Sequence, residues 1–244
     1  MESDWLSRTE LLLGKGKLKR LRSARVLVVG LGGVGAYAAE MICRSGVGFF
    51  TIVDGDKIHT SNRNRQLLAM KSTEGKPKAE LMAERLYDIN PDINLTVINE
   101  YIKDERMVEV LDAGYDYVID AIDTLSPKVF LIYHSLQRRY RVVSSMGSGG
   151  RFDPTKIRIN DISGTTDCAL ARILRKRLHR LGVREGFTAV YSPETTDKRK
   201  IIKVSEEQNK ASVVGTISYM PAAFGIACAS VVIRDLAGID FLTI

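Results

Sequence analysis

The run Val26–Gly35 (Val-Leu-Val-Val-Gly-Leu-Gly-Gly-Val-Gly) constrains the fold of this chain more than any other segment. Its four leading apolar residues suit a strand buried on both faces. Gly30, Gly32 and Gly35, with Gly33 beside them, follow in Gly-x-Gly-x-x-Gly spacing. Glycines at these places permit a tight turn and a close approach of backbone to phosphate. A helix opening at Val34 adds unpaired N–H groups and the positive end of its dipole. The turn alone says "nucleotide" and does not say which one.

The alternation that follows predicts an α/β fold, a doubly wound, mostly parallel, Rossmann-like sheet. Arg25–Gly30, Phe49–Asp54, Leu95–Asn99, Tyr117–Ala121 and Arg141–Ser145 read as strands. Val34–Ser45, Glu74–Asn90, Asp104–Ala113 and a segment from Pro127 to about Arg139 read as helices. After Gly147-Ser-Gly-Gly150 the rhythm changes to a smaller antiparallel part. Phe152–Asp161 suggests one or two strands and Cys168–Leu181 an amphipathic helix. Gly186–Val204 is strand-like, with a polar break at Thr195–Lys200. The expected organisation is a helical arm (1–24), a nucleotide-binding core (25–150) and a substrate-binding part with a closing helix (151–244). The boundary is soft, within one continuous unit. At 244 residues and 45% hydrophobic, the chain can bury one large core. The uncharged run Ala211–Ile233 has the length of a membrane span. Gly215, Pro221 and Gly225 within it favour instead a strand or loop over Ser212–Tyr219, then a buried helix with Pro221 in its first turn. No integral membrane span is expected. The polar start, Met1-Glu-Ser-Asp-Trp5, is unlike a signal peptide. Cys43, Cys168 and Cys228 are too scattered for a disulfide framework or an all-cysteine zinc site. A cytoplasmic location follows as the expectation.

Asp54 closes the second strand, where a carboxylate accepts from both ribose hydroxyls. NAD and ATP fit this equally. Asp56 either assists or caps the next turn. Arg65 and Lys78 separate the two nucleotides. A dinucleotide bridge is served by glycines and a helix dipole, whereas a triphosphate that must release pyrophosphate needs cations. Asn62 and Gln66 add hydrogen-bonding groups in the same loop. Asp123 follows a strand tip, a position that faces the ligand crevice, and could hold Mg²⁺ on the phosphates. Asp120 reads as structural.

These residues carry a family resemblance. Ser7-Arg8, Val28–Gly35, Ser45–Gly48, Val53–Asp56, Ser61–Gln66, Gly75–Ala79, Asp88–Pro91 and Asp120–Asp123 resemble the ubiquitin-activating (ThiF/MoeB/HesA) adenylating superfamily. The resemblance implies ATP and Mg²⁺, with Asp54 on the ribose, Asn62, Arg65 and Lys78 on the phosphates, and Asp123 on the metal and in adenylation. It also implies a homodimer, in which Arg8 reaches the phosphates of the neighbouring subunit. Thr124 stands where many relatives have Asn.

Within that superfamily, the chain is similar to the tRNA threonylcarbamoyladenosine dehydratase branch. Ser7–Gly14, Asn62–Gln66, Val118–Asp123 with Pro127-Lys128, Cys168–Arg175 and Gly215–Pro221 carry the likeness. It lacks the paired CxxC motifs usual in activators of ubiquitin-like or sulfur-carrier proteins, which remain the alternative. The implied reaction adenylates the substrate carboxylate and releases pyrophosphate. The tethered ureido group then expels AMP as the ring closes, with no enzyme thiol. The implied partners are tRNA bearing threonylcarbamoyladenosine and a protein of the sulfur-transfer (cysteine desulfurase) system. Lys and Arg exceed Asp and Glu by 36 to 29 over the chain, a net +7. Arg172, Arg175, Lys176 and Arg180 offer a basic helix face for RNA phosphates. That segment interleaves no aromatic residues, so it reads as a phosphate contact and not as a base reader.

Overall fold

The computed structural model describes residues 5–195, 199, 201–203 and 212–239. Of the polar break expected at 195–200, Thr196, Asp197, Lys198 and Lys200 lie outside the described residues. The arm is two helices, α1 (Ser7–Leu13) and α2 (Lys15–Ser23), divided at Gly14, whose φ of +79° suits glycine.

Strands β1 (Arg25–Val29), β2 (Phe49–Val53), β3 (Asn94–Ile98), β4 (Tyr117–Asp120) and β5 (Arg141–Ser145) are parallel. The connecting helices are α3 (Gly35–Arg44), α4 (Lys78–Ile89), α5 (Asp104–Leu111) and α6 (Leu125–Gln137). Beyond residue 150 come β6 (Arg158–Asp161), α7 (Ala169–Arg180) and β7 (Thr188–Tyr191). β7 adds to β5 in parallel and β6 to β7 antiparallel, so the second part extends the first sheet in the order β3-β2-β1-β4-β5-β7-β6. β8 (Ile201–Lys203) and β9 (Ser212–Val214) form a separate antiparallel pair. The α/β, doubly wound, mostly parallel reading is the observed fold.

Two buried clusters flank the sheet. One joins β1 and β2 residues to α3, α4 and the last helix, α8 (Tyr219–Ala237); the other joins the opposite face to α5, α6 and α7. α8 has the length and apolarity of a membrane span. Its side chains Phe224, Cys228 and Val232 are fully buried, and Gly225 lies so close to α3 that an added Cβ would stand 2.3 Å from the Val34 carbonyl oxygen. Its apolarity thus serves packing within the fold.

Two helix starts differ from the sequence reading. α4 begins at Lys78, because the residues before it turn at Gly75 and bridge back to the 56–58 segment at Pro77 and Lys57. Gly75 donates to the Ile58 carbonyl, Ile58 to that of Lys76, and Lys78 to that of Asp56. α6 begins at Leu125, two residues before Pro127, which stands within the first turn where its missing N–H has no helical partner to lose. Phe152–Asp161 holds one strand, β6, since Pro154 opens a short 3₁₀ turn.

Asp120 is fully buried at the tip of β4. Its carboxylate lies 2.7 Å from Lys128 Nζ and accepts from Ser144 Oγ at 2.6 Å. Lys128 Nζ also donates to the Ile122 carbonyl at 3.0 Å, so the pair pins α6 to the loop that carries Asp123. Removing one partner strands a buried charge. Lys128→Met is therefore expected to lower unfolding stability by about 3–5 kcal/mol, measured by urea denaturation. Adding Asp120→Leu should recover part of that loss.

Candidate functional site

The site forms where the strand order reverses. Val29 is level with Val53 on one side and Asp120 on the other, so the chain leaving β1, β2 and β4 meets at one rim. Gly30 turns with φ +92°, and a Cβ there would stand 2.7 Å from the Ala121 carbonyl oxygen. A Cβ on Gly35 would lie 1.7 Å from the Gly30 carbonyl oxygen, so this glycine closes strand against helix. At Gly33 a Cβ would meet Pro221 of α8 at 2.9 Å. Gly32 differs: its nearest neighbour to an added Cβ is Gln66 Nε2, at 3.7 Å. The open face of the turn is therefore at Gly32, beside the first turn of α3. Gln66 Oε1 is buried there without a hydrogen-bond partner, a group that a ligand donor could satisfy.

Asp54 joins the tips of β1 and β2. Its carboxylate accepts from the Leu31 N–H at 2.6 Å and from the Asp56 N–H at 2.7 Å. Burial pushes its pKa up, against the Lys78 charge and those two amides, which favour the ionised form. Each oxygen keeps a second acceptor position, which suits two adjacent hydroxyls. Lys78 is buried, and its Nζ lies 2.8 Å from Asp56 Oδ2. Asp56 Oδ1 accepts from the Tyr101 hydroxyl. Burial, the bond to Asp56 and the charges of Asp54 and Asp123 push the Tyr101 phenol well above its ordinary range. These four side chains thus share one electrostatic neighbourhood. Tyr101 escaped the sequence reading; its only signal was an aromatic residue three positions after β3.

In the loop before α4, Asn62 is buried and its Oδ1 accepts from the His59 N–H at 3.1 Å. The oxygen shapes the loop, which leaves the amide NH₂ as the group able to serve a ligand. Arg65 donates to the Ser61 carbonyl at 2.9 Å and to Asn64 Oδ1 at 2.8 Å, laying the guanidinium along the loop. Asn64 Nδ2 donates to the Thr216 carbonyl at 3.0 Å, and Gly150 to that of Gly215 at 2.8 Å. The segment before α8 thereby ties the rim together. Asp123 is exposed at the loop after β4. Among the described residues, no three His, Cys, Asp or Glu side chains converge as a metal site.

Arg8 is not brought to this crevice within one chain. It is exposed on α1, and neighbouring Leu6 packs on Gly46, at the other end of α3 from the glycine turn. The helix alone spans about 15 Å. On α7, Arg172, Lys176 and Arg180 are exposed. Arg175 needs correction as a face residue: its guanidinium donates to the carbonyls of Thr165 at 2.8 Å and Ile162 at 3.3 Å, holding the turn before α7. Arg177, which the sequence reading did not single out, donates to Ser126 Oγ at 2.9 Å, three residues after Asp123. All three cysteines are free and buried, and burial pushes the Cys43 and Cys228 thiols up to about 12.

The ThiF family pattern matches residues 6–243. The chain belongs to the ThiF family. Among relatives in this family, the tRNA threonylcarbamoyladenosine dehydratase of Bacillus subtilis is 37% identical over 237 residues, covering 94% of this chain and 93% of that protein. The crystal structure of Escherichia coli tRNA N6-threonylcarbamoyladenosine dehydratase in complex with ATP superposes with a TM-score of 0.87 at 33% identity, covering 96% and 93% of the two chains. The molybdopterin-synthase adenylyltransferase of Salmonella typhimurium is 42% identical over 106 residues, only 43% of this chain and 42% of that one.

The two kinds of glycine in this ThiF-family turn are separable. Gly32→Ala should leave the melting temperature nearly unchanged, because its methyl group meets Gln66 at ordinary contact. It should weaken ATP binding at least tenfold in calorimetric titration by intruding on the open face. Gly35→Ala should lose folded protein and binding together.

Proposed function

We propose that this chain is an ATP-dependent tRNA threonylcarbamoyladenosine dehydratase. The carrying observation is that similarity to a dehydratase spans 94% of the chain, while similarity to the molybdopterin-synthase adenylyltransferase covers 43% of it.

In this reading Asp54 accepts from the ribose hydroxyls. The phosphates lie over Gly32 and the first turn of α3, with Arg65 and Lys78 supplying positive charge. Asn62 and Gln66 donate through their amide NH₂ groups. Asp56, tethered by Tyr101, keeps the Lys78 ammonium at the rim. Asp123 would hold a Mg²⁺ ion through its carboxylate, and the ion would supply positive charge that favours release of pyrophosphate.

The substrate carboxylate oxygen attacks the α-phosphorus, and the bond to pyrophosphate breaks. The ureido group then attacks the activated acyl carbon, and AMP leaves with the former carboxylate oxygen. One water is lost from the substrate overall. Tethering makes this second step intramolecular, so no thiol is needed. ATP and the modified tRNA supply every atom of the reaction.

Arg8 acts from a neighbouring copy in a homodimer. The exposure of Leu11 (88%) and Leu12 (83%) on α1 supports an arm that is covered by another chain. Arg172, Lys176 and Arg180 contact RNA phosphates, and the protein works in the cytoplasm.

Incubating the protein with ATP and tRNA bearing threonylcarbamoyladenosine should yield a nucleoside lighter by one water on mass analysis, with AMP formed in equal amount. Asp123→Asn should reduce the rate by two or more orders of magnitude while ATP still binds. AMP formation that instead depends on a carrier protein with a C-terminal Gly-Gly, and not on tRNA, would replace this reading with the carrier-activating one.

A further inference from the structure

Helices α6 and α7 pack side by side, and neither carries a single Asp or Glu. α7 contributes Arg172, Lys176, Arg177 and Arg180, all exposed, and α6 contributes an exposed aromatic. Phe130 is 45% exposed on α6, and its ring stacks on His134 with an interplanar angle of 25°. Tyr133 packs edge-on against the same imidazole, at a centroid separation of 5.2 Å. Burial and the nearby Arg138 charge lower the His134 pKa, which disfavours the charged imidazolium in the stack.

Ser126, Phe130 and His134 follow at four-residue intervals and so share one face of α6. That line leaves the Asp123 loop and runs about 12 Å along the helix. Arg177 reaches across from α7 to Ser126, at the start of the line. Arg177 therefore meets the start of this line three residues after the carboxylate proposed for adenylation, although it lies 51 residues from Ser126 in sequence.

We propose that this α6–α7 face is an RNA-binding surface on which a nucleotide flanking the modified adenosine stacks against Phe130, with Arg177 on its phosphate. The proposal rests on the dehydratase reading and adds the surface that presents the substrate. When an enzyme draws a modified base out of its stack, the faces of the flanking bases are uncovered. Unpaired bases pack on aromatic side chains, and their phosphates seek arginine. The exposed Phe130 ring, backed by half-buried His134, provides the first contact and the carboxylate-free α7 face the second. The surface is thus a base platform with a phosphate clamp, rather than the phosphate contact alone that α7 by itself would make.

The test uses the full chain and tRNA bearing threonylcarbamoyladenosine. Phe130→Ala should raise the KM for tRNA on the order of tenfold, with the KM for ATP within twofold of the parent. Phe130→Tyr, which keeps the ring, should restore it. Arg177→Ala should lower the slope of log affinity against log salt by about one. Melting temperature and sedimentation of each variant separate these effects from misfolding and from loss of assembly. An unchanged KM for tRNA in a folded Phe130→Ala variant, while the parent still forms the dehydrated nucleoside, overturns this surface and leaves the function standing. A Phe130→Ala variant that sediments as a smaller species marks the face as a contact between copies and also overturns it. A parent that forms no dehydrated nucleoside overturns the function itself.

Discussion

The Asp54 carboxylate holds the site together. One oxygen takes the N–H of Leu31 and fixes the glycine turn; the other takes the N–H of Asp56 and fixes the start of the loop that leads to Lys78. Two strand tips and the first residue of α4 are thereby set relative to one another by one half-buried anion. Its burial disfavours the charge, and two amides and the Lys78 ammonium hold it. From that anchor the order of the rim follows: Asp56 positions Lys78, Tyr101 positions Asp56, and the fully buried Asp120–Lys128 pair sets the Asp123 loop opposite.

The turn, the first five strands and the helices between them were legible because their signals are local. Apolar runs, glycine spacing and strand-tip carboxylates all lie within a few residues of one another. Features set by distant partners were not. The start of α4 depends on residues 75–78 pairing with 56–58, which no helical periodicity reports. The joining of β7 to β5, with β6 outside it, is a matter of topology and not of pattern.

The candidate site divides in the same way. The residues the chain suggested for it, Tyr101 not among them, gave no sign of how their atoms are engaged: Asn62 turns its oxygen inward to His59, and Asp56 is held between an ammonium and a phenol. Arg175 lies on the polar side of a helical wheel but reaches back to the turn before α7, a contact that wheel arithmetic cannot contain. Arg177 and Phe130 carried no joint signal, because the helices bearing them meet only in the folded chain.

Adenylation of the substrate carboxylate makes its oxygen leave with AMP. The direct test is to label that carboxylate with ¹⁸O in threonylcarbamoyladenosine-bearing tRNA and follow the isotope by mass spectrometry of the products. The account predicts one ¹⁸O in the phosphate of each AMP formed, with unlabelled pyrophosphate. Label appearing in inorganic phosphate, with ADP as the nucleotide product, would contradict it and place the activation at the γ-phosphate instead.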